Sequence, residues 1–218
     1  WKNMGLKVVS KNLIKEKVMK KEYDICLMNP PYGKNANLAI EVLNKSKDLA
    51  DTIIAILPRT IRKPVAVNRI DEHLHLISDE TNSDDTFIGS NGKGLTTCTQ
   101  RWVVKDTKRP QVTRKTKEEV AKYFEFTKDI NAADIALGRV GRGSVGEIYL
   151  KGKDYGRRNN YEDRSPNSHY FIKVSSKKVI KQLQDLQPEF KKVSLNTVSN
   201  PSLSIDEIVT LYCEKYVG

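Results

Sequence analysis

The sequence has few of the residues that build membrane spans, disulfide frameworks or metal sites. No apolar run approaches the roughly 20 residues that a membrane-spanning helix requires, and no secretory signal is evident, so we expect a cytoplasmic protein without membrane association. The three cysteines, Cys26, Cys98 and Cys213, lie far apart, which favours small apolar thiols in a reducing compartment over disulfides. The three histidines are equally scattered, so no metal site is expected.

Positive charge is the residue property that the sequence has in excess. The 218 residues carry a formal net charge of +11. The excess is concentrated between Lys105 and Lys192, where 21 lysine and arginine residues stand against 12 acidic ones. Such a segment is typical of a surface that binds nucleic acid, with a merely solvated basic surface as the alternative. We therefore expect two regions, residues 1–107 and a basic region at 108–218, joined near Pro110.

The first region alternates short apolar runs with helical patterns, which predicts an α/β sheet. The near-continuous apolar run Tyr23–Met28 predicts a buried parallel strand. Thr52–Leu57 and Thr96–Lys105 each predict a further strand. Helices are expected over Asn35–Leu49, with Leu38, Val42 and Leu49 on one face, and over the amphipathic segment Val67–Ile77.

The second region has the pattern of a smaller α+β module. Glu147–Leu150 predicts a strand, and Val179, Leu183 and Leu186 predict one face of a helix that ends before Pro188. Ser204 and Glu207 have the spacing of a capping box that opens a last helix through Tyr212.

The tetrapeptide Asn29, Pro30, Pro31 and Tyr32 directly after the first predicted strand carries the chemistry. An exocyclic amine on an aromatic ring is a poor nucleophile because its lone pair is delocalised. The side-chain carbonyl of Asn29 and the main-chain carbonyl of Pro30 can accept both amine hydrogens, which favours a tetrahedral nitrogen. Successive prolines hold these acceptors rigid, and the Tyr32 ring offers a face on which an extruded base can stack. A proline-rich turn that merely ends a strand is the alternative.

Residues Asp24–Gly33 resemble the catalytic motif of gamma-type N6-adenine DNA methyltransferases, and the likeness covers about the first half of the chain. The resemblance implies a Rossmann-like S-adenosylmethionine-dependent methyltransferase sheet, partial at its amino end, followed by the smaller α+β module. It further implies DNA modification, as in restriction–modification systems, by methyl transfer to N6 of an adenine flipped out of duplex DNA.

The same resemblance suggests residues that contact the cofactor and the base. Asn12 and Leu13 occupy the places where the family has an acidic and an aromatic residue against the adenine of S-adenosylmethionine, so they join Asn29 as cofactor-binding candidates. Phe87 resembles an aromatic residue that packs on the other face of the flipped base, which makes it a partner for Tyr32. Trp102 is the alternative partner, although a strand core position also accounts for it.

The chain departs from the family where a Phe-x-Gly-x-Gly loop for the methionine part of the cofactor belongs upstream of Asn29. The favoured interpretation is that the chain is a fragment, or a natural truncation whose cofactor loop comes from a second polypeptide, so that the isolated chain would be inactive. The alternative is a permuted order in which the Gly138–Gly146 stretch serves as that loop.

In the family, the carboxyl-terminal region recognises the DNA target. Basic residues interleaved with Tyr149, Tyr155 and Tyr161 suit this task, and the glycines of Gly138–Gly146 would let backbone amides approach phosphates. A glycine-bearing hairpin with solvated arginines is the alternative. The candidate DNA-binding residues are Arg139, Arg142, Lys151, Lys153, Arg157, Arg158 and Arg164.

Three other functions remain open on the sequence alone. RNA and protein-glutamine methyltransferases carry similar loops, although Gly33 and the long basic extension disfavour the glutamine enzymes. A non-catalytic DNA-binding subunit or remnant that has lost the cofactor site is an alternative of a different class.

Overall fold

The computed structural model describes residues 5, 12–15, 21, 23–83, 86–88, 94–156, 160–198 and 200–218. The chain divides into two compact units, Trp1–Val112 and Thr113–Gly218. Each unit contains one four-stranded sheet, so the mixed α/β class predicted from the sequence is confirmed at that level. Within the described ranges, no helix combines the length and the apolar character that crossing a membrane requires.

The sheet of the first unit contains β1 (Tyr23–Met28), β2 (Ala50–Pro58), β3 (Leu74–Thr81) and β4 (Thr97–Val104), in the order β1-β2-β4-β3. Strands β1 and β2 are parallel and are joined by helix α1 (Asn37–Ser46), whereas β4 is antiparallel to both of its neighbours. The predicted strands at β1, β2 and β4 are confirmed. The carboxyl ends of β1, β2 and β3 therefore lie beside the beginning of β4, all at the same end of the strands.

One face of this sheet carries the core of the first unit. Ile53, Leu57 and Trp102 point into it, and α1 covers it with Ile40 and Leu43. The predicted helix face was wrong, because Leu38 is exposed and Val42 and Leu49 are only half-buried. The helix begins at Asn37, and its buried positions are Ala39, Ile40, Leu43 and Ser46.

The helix predicted over Val67–Ile77 was wrong. A short helix α2 (Pro64–Val67) ends there, and β3 begins at Leu74. The apolar residues at helical spacing also fit a short helix followed by a strand, and the pairing of β3 with β4 decides between them. Consistent with a strand, Leu74 is fully buried, whereas Ile77 is exposed beside a β-bulge.

The predicted burial of β1 was also wrong. Tyr23, Ile25 and Leu27 are exposed to 59%, 55% and 74%, and only Cys26 and Met28 pack against the core. Among the described residues, β1 pairs with β2 alone, so it is an edge strand. Strands in parallel sheets are ordinarily covered on both faces, so an apolar strand in this position is unusual.

The sheet of the second unit is antiparallel and contains β5 (Phe124–Thr127), β6 (Ile135–Gly138), β7 (Ile148–Leu150) and β8 (His169–Val174), in the order β5-β8-β6-β7. The helices of this unit are α3 (Lys117–Val120), α4 (Lys177–Gln184), α5 (Gln187–Ser194) and α6 (Ile205–Tyr216). They cover one sheet face, and a smaller cluster with Tyr161 and Phe171 lies on the other.

Two helix boundaries follow their sequence signals. Helix α4 buries Val179 and Leu183 and ends before Pro188, as predicted. Ser204 and Glu207 form the predicted capping box at the start of α6, with Ser204 N donating to Glu207 Oε2 at 2.7 Å. The helix continues to Tyr216, four residues beyond the predicted end. Local hydrogen-bonding chemistry fixes the start of this helix, which is why the sequence located it.

Candidate functional site

The loop Asn29–Tyr32 leaves the carboxyl end of β1, where a parallel sheet presents its ligand-binding residues. Pro30 is buried, whereas Asn29 and Pro31 are exposed. Tyr32 is half-buried and packs against the core of the first unit. The loop is thus anchored at Pro30 and Tyr32 while the Asn29 side chain faces solvent.

The polar groups expected to bind an amine are available in this loop. Within the described part of the chain, no protein group hydrogen-bonds the Asn29 side chain, and no backbone N–H donates to the carbonyl of Pro30. The carbonyl of Tyr32 differs, because it accepts from Ala39 N at 3.4 Å. Two carbonyl acceptors on consecutive residues are therefore without a protein donor in this part of the chain, and each can accept an N–H group of a ligand.

The backbone that follows the loop is strained. Gly33, Asn35 and Ala36 have φ values of 66°, 53° and 60°, in the left-handed region. A Cβ at Gly33 would lie 2.9 Å from Leu38 Cγ and 3.1 Å from Leu38 N, so glycine is required there for space as well as conformation. Ala36 is fully buried in spite of its φ. Such strain is concentrated at functional sites, where the surrounding structure holds the backbone in place.

The side chain of Tyr32 is half-buried. Burial raises the pKa of Tyr32, and the nearby thiol of Cys98 raises it further. The hydroxyl is therefore protonated at neutral pH. A neutral, half-buried ring anchored beside Asn29 offers a flat apolar surface to a planar ligand.

Phe87 lies in the connection between β3 and β4, which is at the same end of the strands as the loop with Tyr32. Phe87 is half-buried, and its carbonyl accepts from Leu95 N at 2.8 Å next to an antiparallel bridge between Ile88 and Gly94. Trp102, the alternative stacking partner, is 2% exposed in the core and donates to Gln100. A core role accounts for Trp102, whereas Phe87 keeps an accessible face.

The two cofactor-binding candidates near the amino end lie in a turn. Lys15 N donates to Asn12 O at 3.0 Å, and Ile14 N donates to Asn12 Oδ1 at 3.1 Å. Asn12 is exposed and Leu13 is half-buried.

The Gly138–Gly146 stretch is a hairpin loop between the antiparallel strands β6 and β7. Gly138 N donates to Glu147 O and Gly146 N donates to Gly138 O, each at 2.9 Å. A Cβ at Gly138 would lie 1.7 Å from Ser144 O, so close backbone approach explains this glycine. The loop leads into a strand, and the N–H groups of Gly138 and Gly146 donate to carbonyls within the hairpin. A phosphate- or cofactor-binding loop would instead leave such N–H groups free at the start of a helix.

The candidate DNA-binding residues occupy two ends of the β6–β7 pair. Arg139 and Arg142 are exposed in the hairpin loop, whereas Lys151 and Lys153 follow β7 at its far end. The strands between them span only about 10–13 Å, a distance that one stretch of nucleic-acid backbone can bridge. Arg157 and Arg158 lie outside the described residues.

The remaining basic candidate, Arg164, lies in a network that the sequence did not suggest. Its guanidinium stacks 4.3 Å from the centre of the Tyr149 ring and donates to Asn160 O at 3.0 Å. Tyr149 also packs edge-on against His169, which is only 5% exposed. Burial and the nearby Arg164 lower the pKa of His169 to about 4. These residues hold the segment after β7 onto the sheet.

The tyrosines expected to interleave with bases are largely structural. Tyr161 is buried and donates to Ile130 O at 2.6 Å, and Tyr155 OH accepts from Leu150 N at 3.1 Å. Their polar groups are engaged within the unit. The basic side chains of this region are therefore better placed for phosphate contacts than its tyrosines are for base stacking.

Comparison with known proteins adds no further assignment: no protein-family model, no curated protein and no solved structure matches this chain. Among the described residues, no group of three or more His, Cys, Asp or Glu side chains is arranged to hold a metal ion.

Proposed function

We propose that this chain is the part of an S-adenosylmethionine-dependent DNA methyltransferase that binds the target base. The enzyme would methylate N6 of an adenine flipped from duplex DNA. The observation that carries the proposal is that two hydrogen-bond acceptors, Asn29 Oδ1 and Pro30 O, have no protein donor among the described residues. They lie at the carboxyl end of strand β1, where buried Pro30 anchors the loop. This arrangement matches what an exocyclic amine requires.

The chain's part in the reaction is to hold and polarise the amine. Asn29 Oδ1 and Pro30 O each accept one N6 hydrogen, which draws the nitrogen towards a tetrahedral geometry and frees its lone pair for attack. Tyr32 stacks on one face of the base, and Phe87 packs on the other. When bound, S-adenosylmethionine would supply an electrophilic methyl group from its sulfonium sulfur and leave as the thioether S-adenosylhomocysteine, and the N6 proton would pass to solvent.

Among the described residues, the outer edge of β1 has no strand partner, which supports a cofactor site completed by a further segment. A strand pairs about 4.8 Å from its neighbour, so a segment paired with the open edge of β1 would deliver its following loop next to Asn29. On the other side of β1 that position is taken by β2 and the turn after it. We therefore propose that a second polypeptide, or a segment outside the described residues, supplies the cofactor loop there.

The second unit supplies phosphate contacts. Its exposed Arg139, Arg142, Lys151 and Lys153 would neutralise backbone charges and orient the duplex without reading its sequence. Binding should therefore weaken steeply as the salt concentration rises.

A non-catalytic DNA-binding subunit is the second candidate, favoured by the same exposed β1. Calorimetry with S-adenosylmethionine shows whether the chain forms a cofactor site alone, and absence of binding together with retained DNA binding would rule out an enzyme formed by this polypeptide alone. Methyl transfer by the chain in complex with a second polypeptide then separates the two candidates, because it requires Asn29 in the enzyme and is independent of Asn29 if this chain is only a DNA-binding subunit.

Transfer of tritiated methyl groups from S-adenosylmethionine to unmethylated genomic DNA tests the chemistry. In a preparation of the chain, alone or with the polypeptide that supplies the cofactor loop, that transfers methyl groups, we expect N6-methyladenine as the product and loss of transfer in Asn29→Ala. Activity that is unchanged in Asn29→Ala would show that the loop is not catalytic. Methylation of RNA, or of a glutamine side chain, in place of DNA would show that the planar-amine chemistry is right and the substrate class wrong.

A further inference from the structure

Two arginines after β2 tie that strand to the connection that bears Phe87. Arg59 is only 8% exposed, and Arg62 follows it in the same turn. Both reach the polypeptide at the ends of the β3–β4 connection, residues 82–96. This inference rests on the proposed function, because it assigns these arginines a role in placing Phe87.

Arg59 bonds to both ends of the connection. Its backbone N donates to Thr96 O at 3.1 Å and its Nε to Thr97 O at 3.2 Å, where β4 begins. Its Nη2 donates to Asn82 O at 2.7 Å, where β3 has just ended. One forked side chain thus fixes the separation of the two ends, a geometry that the single ammonium of lysine cannot reproduce.

Asn82 reinforces the same junction from the other side. Its Nδ2 donates to Thr97 Oγ1 at 2.9 Å, and its Oδ1 accepts from Thr99 Oγ1 at 3.0 Å. Its backbone N donates to Thr97 O at 3.1 Å. Side-chain hydrogen bonds therefore join the two ends of the connection, in addition to the backbone hydrogen bonds between β3 and β4.

Arg62 adds a second tie. Its Nε and Nη2 bind the Asp79 carboxylate at 2.9 and 2.6 Å, and Nη2 also donates to Thr81 Oγ1 at 3.0 Å. Asp79 in turn accepts from Gln100 Nε2 at 3.0 Å. The end of β3 is thereby held against β4 and against the turn after β2.

We infer that Arg59 is a positioning residue for base binding, with Arg62 in support: by holding the two ends of the β3–β4 connection, it sets where Phe87 meets the extruded base on the face opposite Tyr32. The turn that bears Arg59 also contacts the segment directly after Tyr32, because the short helical turns at Lys34–Ala36 and Arg59–Arg62 lie against each other. The turn Arg59–Arg62 therefore contacts both the segment that follows Tyr32 and the ends of the connection that contains Phe87.

The test uses a duplex in which 2-aminopurine stands opposite an abasic position, so that extrusion costs little and no recognised sequence is needed. The affinity of the full chain for this duplex is compared with its affinity for the same duplex with an ordinary A·T pair. Truncating a stacking aromatic, as in Phe87→Ala, should reduce this preference about tenfold.

The decisive variants are Arg59→Lys, Phe87→Ala and their combination. We expect Arg59→Lys to reduce the preference about as much as Phe87→Ala, and the double variant to be no weaker than Phe87→Ala alone. The salt dependence of binding should stay unchanged, because lysine keeps the charge. Asn82→Ala tests the junction separately and should act in the same direction with the arginine intact.

Lys47→Met is the matched control, because Lys47 pairs with Asp71 in the same unit at the opposite end of the strands. It should leave the preference unchanged. Additive losses in the double variant, or no loss in both Arg59→Lys and Asn82→Ala, would overturn the positioning role while leaving the proposed function standing. A preference that Tyr32→Ala does not change would overturn the proposed function itself, and the positioning role with it.

Discussion

The indole N–H of Trp102 donates to Gln100 Oε1 at 3.2 Å in the core of the first unit, and both side chains are 2% exposed. Gln100 passes the interaction on, because its Nε2 donates to the Asp79 carboxylate at 3.0 Å. A buried amide thus connects the largest core side chain to the residue that binds Arg62.

Gln100→Leu should destabilise the first unit. The substitution leaves the Trp102 N–H buried without an acceptor, which costs about 1–3 kcal/mol of unfolding free energy. Denaturant unfolding followed by tryptophan fluorescence measures it, since both tryptophans belong to the first unit. Arg101→Gln, at the exposed neighbouring position, is the control and should change stability by less than about 0.5 kcal/mol. Equal effects of the two substitutions would contradict the network.

Gly33→Ala should damage both stability and base binding. The left-handed φ of 66° and the 2.9 Å approach to Leu38 Cγ together predict a loss of about 1–3 kcal/mol. Because Gly33 follows Tyr32 directly, the ring should shift as the backbone relaxes. Gly143→Ala is a suitable comparison, since nothing lies within 4 Å of the position that its added methyl group would take and its φ carries no left-handed strain. Unchanged stability in Gly33→Ala would show that the turn is not constrained.

Substitutions on the exposed face of β1 should leave the stability almost unchanged. Leu27→Gln should change the unfolding free energy by less than about 0.5 kcal/mol, because the side chain is 74% exposed. Ile53→Ala, on the buried face of β2, should cost about 2–5 kcal/mol. A large loss in Leu27→Gln, measured by chemical denaturation, would show that β1 is covered in the isolated chain.

The second unit should lose stability as the solution becomes mildly acidic. The folded pKa of His169 is about 4, below its ordinary value near 6.5, so the unfolded chain binds the proton more readily. The contribution of His169 to stability is complete above pH 6.5 and falls towards pH 4, by up to about 3 kcal/mol.

Circular dichroism of wild type and His169→Gln between pH 4 and 8 measures this effect. The variant should lose less stability than the wild type over that interval, because its side chain does not titrate. Parallel pH profiles for the two proteins would contradict the assignment to His169.

The sequence predicted elements whose signals are local. The capping box of Ser204 and Glu207 located the start of α6, and the β-branched run after Thr52 located β2. The tetrapeptide Asn29–Tyr32 stood out as a motif directly after a predicted strand, and it does follow β1, while its function stays a prediction.

What the sequence did not predict depends on pairing between distant segments. The spacing of Val67, Ile70, Leu74 and Ile77 suits a helix, but pairing with β4 makes a strand from Leu74 onwards. The apolar composition of β1 suggests burial, whereas its exposure depends on which strand occupies its outer edge. Arg59 and Arg62 carry no sequence signal, because their partners at Thr97, Asn82 and Asp79 become neighbours only in the folded sheet.

The most direct test of the account is whether an adenine amine binds between Asn29 Oδ1 and Pro30 O. An adenine carrying ¹⁵N at N6, placed opposite an abasic position in a duplex, reports its amino protons by NMR when the chain binds. We predict that both amino protons shift downfield with wild-type protein, and that the shift of one is lost with Asn29→Ala. Identical amino-proton shifts with the two proteins, under conditions where both bind the duplex, would contradict the proposed role of the loop.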